Sequence, residues 1–393
     1  MNHLFVTQDY GPDRGGMARR HVELCRRFTN ATNAMAVSTV ANPDALAFDT
    51  LEDYRIDRQP FPFSQANRFA NQVRWSRSLV AEWRGSVDVI HCGNIRPVGY
   101  AIQWAHRRLG VPYLVYVNGG DLLRERMKAA NPLKRIAARN IFGNASGIVA
   151  TSRWVADLSA EVMSEIGVRA APPVVAIGLG TDPVHFSPGK DSGALRASWG
   201  VGDAPLMLTV ARLVPHKGQD TGMRVLRELR GEFPDLRYVL VGDGHHEGDL
   251  RRLAVELGVA SRVIFAGNLN DAELAEAYST STVYVGLSRI DREVNAEGFG
   301  ISFLEAAASG IPSVAGDSGG VSSAVRDIET GFLVPPLDVL AAASKIRALL
   351  TDASLQETMG ASARRAVETY FNWERVARDT RDFTLDVTAG AAR

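Results

Sequence analysis

Cysteine is almost missing from this chain: Cys25 and Cys92 are the only two among 393 residues. That excludes a disulfide framework and a thiolate zinc site, and both positions suit small buried apolar side chains. No apolar run approaches the ~18 residues that a membrane-spanning helix needs. The opening stretch MNHLFVTQDY has neither the basic nor the apolar region of a signal peptide, so the expected location is the cytoplasm. Net charge is lacking too, 44 Lys and Arg balancing 44 Asp and Glu. No Asp-x-Asp pair occurs, although transferases that hold a diphosphate through a divalent cation rely on such acids. His185, His216, His245 and His246 show no metal-ligand spacing. The expectation is a site with no metal and no cofactor. The three spaced glycines of a dinucleotide fingerprint are absent after the first strand candidate, and no ribose-binding acid follows the second, which argues against an NAD-dependent dehydrogenase.

What is present fits a soluble globular α/β protein. The length exceeds that at which one core stops growing, so two domains are expected. Charge is divided unevenly: residues 1–180 hold 22 Lys and Arg against 15 Asp and Glu, leaving 22 against 29 for the rest. Part of the basic excess lies in LLRERMKAANPLKRIAARNIF, with Arg124, Arg126, Lys128, Lys134, Arg135 and Arg139. Such a helix attracts an anionic membrane surface or a phosphorylated acceptor, or is simply a solvated face. Short β-rich runs alternate with helical patterns: HLFVT, MAVST, DVIHC, YLVYV, GIVAT and VVAIG in a first series, then PLMLTVA, RYVLVG, RVIFAG, TVYVGL, IPSVAG and GFLVPP. This alternation predicts two parallel, doubly wound sheets covered by helices. GLGTDPVHFSPGKDSG, dense in Gly, Pro and Ser, reads as the linker, and WERVARDTRDFTLDV as a terminal helix.

The stretch AEGFGISFLEA carries the most information. Gly298 and Gly300 permit tight backbone paths and a helix begins near Ile301, so free amides at Gly300 and Ile301 face an anion. Glu297 lies before that helix and Glu305 one turn inside it. Acids repel the phosphate that amides attract, which makes sense if each carboxylate accepts hydrogen bonds from sugar hydroxyls. A nucleotide sugar supplies both hydroxyls and phosphate. TVARLVPHKGQD puts Arg212 and Lys217 in a turn after an apolar strand, a planar fork and a mobile point charge suited to a diphosphate. Gly15 and Gly16 open the first helix and let backbone approach a ligand. Asn118, Gly119, Gly120 and Asp121 end the strand YLVYV, with Asp121 the expected helix cap and Asn118 a candidate for a donor hydroxyl. Gly242 and Gly244 read as a tight strand-to-helix turn.

Gly15 and Gly16, GLGTDPVHFSP, ARLVPHKGQD, LVGDG, FAGNL and AEGFGISFLEAAASGIPSVAGDSGG occur together and span most of the chain. As a set they resemble the retaining family-4 glycosyltransferases of the GT-B fold, and within them are similar to the branch of phosphatidylinositol mannosyltransferases. The resemblance implies two Rossmann-like doubly wound domains facing across a cleft: residues 1–180 for the acceptor, 181–370 for the nucleotide sugar, and a helix at 371–393 returning to the N-terminal domain. It implies that Arg212 and Lys217 grip the donor diphosphate with amides near Gly16, Phe299, Gly300 and Ile301. Glu297 would then meet the donor sugar, Glu305 the ribose and backbone at Leu269 the base, with Gly15 and Asn118 completing the donor-binding set. The acceptor side would draw on Arg124, Arg126, Lys128 and Asp121. Where the family carries His followed by Gly, this chain has Asn118 and Gly119. The implied reaction is metal-independent, front-face transfer of a hexose from GDP-mannose or a UDP-sugar to a hydroxyl of a glycan, lipid headgroup or small metabolite. Peripheral membrane contact belongs to that reading and a nucleic-acid partner does not. Two alternatives stand beside it, a sugar-nucleotide epimerase or hydrolase on the same fold and a non-catalytic nucleotide-sugar-binding module.

Overall fold

The computed structural model describes residues 1–13, 15–60, 68–291 and 294–391. The chain forms two compact units, Met1–Gly178 together with Trp373–Arg393, and Leu179–Asn372.

The first unit is built on a seven-stranded sheet. Its strands are β1 (Asn2–Val6), β2 (Ala34–Val40), β3 (Arg55–Gln59), β4 (Val89–Cys92), β5 (Tyr113–Val117), β6 (Gly147–Ala150) and β7 (Val174–Ala176), in the order β3-β2-β1-β4-β5-β6-β7. Every pairing is parallel. The central strands are buried along nearly their whole length, because helices on both faces leave no side open to water. Strand β3, which reads RIDRQ, has no apolar run to betray it. It lies at the sheet edge, where charged side chains discourage pairing with another chain. The helix Gly16–Phe28 buries Val22, Cys25 and Phe28 as an apolar stripe, and with them Arg20 and His21. The terminal helix Trp373–Ala391 packs on this unit: Arg381 donates to the Arg27 carbonyl at 2.5 Å, and Arg27 pairs with Glu374 at 2.7 Å. Gly147 admits the Phe383 ring, which a Cβ there would approach to 2.8 Å.

The second unit holds a six-stranded parallel sheet of β8 (Leu206–Val210), β9 (Arg237–Val241), β10 (Val263–Gly267), β11 (Val283–Gly286), β12 (Ser313–Gly316) and β13 (Gly331–Val334). The order is β10-β9-β8-β11-β12-β13. All six runs of the second apolar series are strands. Its core joins Met207, Leu240 and Val285 of the sheet to Leu226, Leu250 and Ile346 of the flanking helices.

The stretch read as a linker is not a loose tether. From Leu179 onward it belongs to the second unit. Asp182 accepts from the amides of Val184 and His185 at 2.8 and 3.2 Å, Lys190 N–H donates to Ser279 Oγ at 3.0 Å, and Ser192 Oγ donates to Glu276 at 2.9 Å. Phe186 is buried against the Tyr278 ring, centroids 5.6 Å apart. Its Gly, Pro and Ser residues make turns that are individually anchored. The chain passes between units only at Gly178–Leu179 and Asn372–Trp373.

Candidate functional site

In an open parallel sheet, two adjacent strands whose following connections run to opposite sides leave a crevice at their carboxyl ends, where ligands bind. In the second unit those strands are β8 and β11: β8 is flanked by β9 on one side and β11 on the other. Lys217 follows β8 and Glu297 follows β11, and the Lys217 ammonium donates to Glu297 Oε2 in a short ion pair. The two side chains are 19% and 17% exposed. Burial pushes the Glu297 carboxyl upward, but the Lys217 charge and hydrogen bond, with the Phe299 amide, hold it below the usual carboxylate range. His216, beside this pair, is pushed down to about 4, by burial first and then by Lys217.

The turn that presents Lys217 is closely fixed. Val214 N–H donates to the Arg212 carbonyl at 2.9 Å, Lys217 N–H to Val214 at 3.0 Å, and Gln219 Nε2 to Arg212 at 3.0 Å. Gly218 has φ 76°, and a Cβ there would fall 1.9 Å from the Leu287 carbonyl oxygen. The turn thus lies against the chain leaving β11. Arg289 N–H donates to the His216 carbonyl at 2.8 Å, while its guanidinium grips Asp220 with bonds of 2.8 and 3.2 Å. Gly242 and Gly244 complete the scaffold: their φ values of 122° and 157° and a lack of Cβ let the turn after β9 pass within reach of the Ala211 and Leu213 carbonyls. Arg212 is exposed and has no ion pair among the described residues.

Glu297 is followed by the helix Ile301–Ala308, whose N-cap Gly300 has φ 94° and no side chain to cap with. The amides of Gly300 and Ile301 take no protein acceptor among the described residues, so they can face an anion at the positive end of the helix. Phe299 is buried and keeps its ring 6.2 Å from Phe371. Beneath Lys217 and Glu297 a small cavity is lined by Thr209, Tyr284, Ser288 and Ser302. Tyr284 OH donates to Ser302 Oγ at 2.7 Å, and Thr209 Oγ1 shares a 2.7 Å hydrogen bond with Tyr238 OH. Glu305 is deeper, 4% exposed, and its Oε2 accepts from Tyr278 OH at 2.7 Å. Leu269 lies in the turn between β10 and the helix Asp271–Ser279, where Asn270 caps the helix through the Glu273 amide at 3.0 Å and Asn268 bonds Asp243 at 2.6 Å.

The first unit gathers a second polar cluster, where β1 and β4 are its switch-point neighbours. Gly15, φ 146° and open to solvent, precedes the helix that begins at Gly16. Asn94 after β4 accepts from Thr7 Oγ1 at 2.8 Å and donates to Asp9 at 2.6 Å. His21 Nδ1 lies 2.8 Å from the Asp9 carbonyl, and burial lowers His21 to about 3. Burial likewise raises the Asp9 carboxyl. After β5, Asn118 Oδ1 accepts from Arg20 at 2.9 Å. Asp121 is not the helix cap expected for it. The N-cap is Gly119, and Asp121, two positions further in, turns its carboxylate back to the amides of Asn118 at 3.0 Å and Leu122 at 2.9 Å. Of the basic residues nearby, Arg126 pairs with Glu161 and Glu165 at 2.9 and 2.8 Å, and Lys128 lies 3.5 Å from the buried Glu125. Arg124 is exposed with no ion pair among the described residues.

The sequence reading missed Asp9, Arg20, His21, Asn94, Ser302 and the Arg289–Asp220 brace. Tyr284 and Thr209 were hidden within apolar strands. It also did not anticipate that Lys217 and Glu297 hold each other.

Two family models match this chain, Glycosyltransferase Family 4 over residues 14–176 and Glycosyl transferases group 1 over residues 191–366. Among curated proteins, the GDP-mannose-dependent alpha-(1-6)-phosphatidylinositol monomannoside mannosyltransferase of Mycolicibacterium smegmatis is 31% identical over 376 residues, covering 94% of each chain. The D-inositol 3-phosphate glycosyltransferase of Streptomyces avermitilis is 29% identical over 401 residues, covering 94% of this chain and 82% of that one. Among solved structures, sucrose-phosphate synthase from Thermosynechococcus elongatus superposes with a TM-score of 0.79 at 23% identity, over 99% of both chains. The chain therefore belongs to the family-4 glycosyltransferases, nucleotide-sugar-dependent enzymes of the GT-B fold, and within them is similar to the phosphatidylinositol mannosyltransferases.

Proposed function

We propose that this protein transfers a mannosyl group from GDP-mannose to a hydroxyl of an inositol-containing lipid, with retention at the anomeric carbon and no metal ion. The observation that carries this reading is the Lys217–Glu297 pair set beside the uncapped helix start at Gly300 and Ile301. An ammonium has three donors. Glu297 occupies one, leaving two for oxygens of a diphosphate, while exposed Arg212 supplies a fork and the helix amides a fixed dipole. Negative charge grows on the leaving diphosphate, and donors already aimed at that place stabilise it without reorganisation. Glu297, kept ionised by Lys217, is an acceptor for sugar hydroxyls. The leaving diphosphate then takes the acceptor proton on the face from which it departs, so no protein nucleophile is required. UDP-sugars are the competing donors.

Relatives of this chain carry names that specify GDP-mannose and phosphatidylinositol mannoside, which supports the choice of donor and acceptor. The helix Pro132–Gly143 supports contact with a lipid surface, since Leu133 and Ile136 are exposed beside exposed Lys134, Arg135 and Arg139. None of the described helices is long and apolar enough to cross a membrane.

Thermal-shift titration tests the donor: a nucleotide at ~100 times its dissociation constant stabilises by about 2.7 kcal/mol. GDP and GDP-mannose should shift the melting midpoint more than UDP and UDP-glucose at equal concentration. Transfer to phosphatidylinositol in vesicles should survive a chelator, and the product's anomeric C–H coupling should match the α-linked donor. Chelator-sensitive turnover or an inverted product would overturn the mechanism.

A further inference from the structure

Arg20 is 1% exposed and forms no salt bridge with a carboxylate among the described residues. Its Nη1 is 2.9 Å from Asn118 Oδ1, and its guanidinium lies over the Tyr116 ring, 4.9 Å from the centroid. Arginine has five donors and no acceptor. The Asn118 atom facing it must therefore be the carboxamide oxygen, whatever the ambiguity of amide orientation elsewhere. The Nδ2 group is turned the other way, where its partner is the weak acceptor Met17 Sδ at 3.5 Å.

The platform under Arg20 is fixed by a similar chain of deduction. Asn33 spends its Nδ2 on Asn30 Oδ1 and Thr32 Oγ1, at 3.0 and 3.1 Å, so its oxygen faces His3 Nε2 at 3.1 Å. His3 thus donates from Nε2 and accepts at Nδ1. His91 Nε2, 3.0 Å away, donates to it, which leaves His91 Nδ1 to accept from Tyr116 OH at 2.9 Å. One proton arrangement satisfies all three links. His3, His91 and Tyr116 are all buried, and they run through the neighbouring strands β1, β4 and β5 to hold the ring on which Arg20 rests.

We propose that Arg20 is a positioning residue that locks Asn118 oxygen-inward, so that the end of β5 offers substrate an uncharged hydrogen-bond donor and never an acceptor. The group it recognises is a hydroxyl oxygen of the transferred sugar or of the acceptor, neither of which is present in GDP alone. This inference rests on the transferase reading above. Arg20 itself touches no substrate.

A double-mutant cycle on the full-length enzyme tests it, with GDP-mannose and vesicles of phosphatidylcholine containing phosphatidylinositol as substrates. Asn118→Ala should lower kcat/KM about tenfold, the scale of one lost hydrogen bond. Arg20→Met should do the same, and the double variant should be no worse than Asn118→Ala alone. Arg20→Lys, which keeps a donor, should recover part of the loss. Effects that multiply, or an Arg20→Met variant at the wild-type rate, overturn the proposal. If Arg20→Met does not fold, Arg20→Lys takes its place in the cycle. Calorimetry with GDP alone separates the two readings, because GDP affinity should be equal in all four proteins. If the wild type neither binds GDP nor turns over GDP-mannose, the GDP-mannose reading has failed instead. The Arg20 proposal is then decided by the crystal structure of Arg20→Met: an unmoved Asn118 side chain overturns it, and a reoriented or split one supports it.

Discussion

Replacing Lys217 by Met removes the ammonium and keeps most of the side-chain volume. Glu297 is then left in a site that raises its pKa by burial, with its principal counter-charge gone. Breaking a fully buried pair costs about 3–5 kcal/mol. Here both side chains retain nearly one-fifth of their exposure, so roughly 1–3 kcal/mol is expected once solvent screening is allowed for. The sign with pH is fixed. In the wild type the depressed Glu297 pKa contributes stability that is present above its ordinary value of 4.5 and is lost as pH falls through the folded value. In the variant, burial, the largest influence, is opposed only by the Phe299 amide and His216, so the pKa rises and its contribution is retained at low pH and lost as pH rises. The stability gap between the two proteins should therefore be widest near neutrality and close on acidification. Urea unfolding across that range measures it. Lys217→Met/Glu297→Gln should recover most of the lost stability at neutral pH but none of the turnover, which falls by roughly 10²- to 10³-fold if one donor to the departing diphosphate is lost. A gap independent of pH, or a single variant that still turns over GDP-mannose at the wild-type rate, refutes the reasoning.

Gly218→Ala should destabilise the second unit by about 2 kcal/mol or more and abolish GDP binding, since its Cβ would meet the Leu287 carbonyl at 1.9 Å from a left-handed backbone; melting and calorimetry would show it, and a normal GDP affinity would count against the turn geometry. Arg289→Gln should weaken GDP binding without unfolding the chain, because it frees the turn that carries Lys217 from Asp220; unchanged affinity would mean the turn holds itself. Burial lowers the pKa of His3, His21, His91 and His216, so these groups contribute stability that is complete above their ordinary value near 6.5 and declines as pH falls below it. Each contributes up to about 1.4 kcal/mol per pH unit in that window, and an unfolding free energy that stayed flat from pH 6.5 to pH 4.5 would show that these rings are not held neutral.

Much of the fold was legible because burial in a parallel sheet leaves a signature in short stretches. Strands covered on both faces become runs such as YLVYV and YVLVG. Strand β3 was illegible for the converse reason, being an edge strand that carries charge. The GLGTDPVHFSPGKDSG stretch misled because turn residues announce a break in regular structure without saying whether the turns are anchored. Asp121 was expected at the cap because a short acid after two glycines commonly takes that place, but the glycine at φ 90° had already started the helix two residues earlier.

The sequence by itself determined the alternation of strands and helices, the glycine-led helix starts at Gly16 and Ile301, and the family to which the motifs belong, because each is written within a dozen neighbouring residues. Only the tertiary structure decided that Lys217 and Glu297, 80 positions apart, share a proton donor and acceptor, and that Arg20 reaches across 98 positions to turn Asn118. Pairings of that kind depend on strand order: β8 and β11 become neighbours only when the sheet assembles, and no local pattern encodes which strand ends will meet.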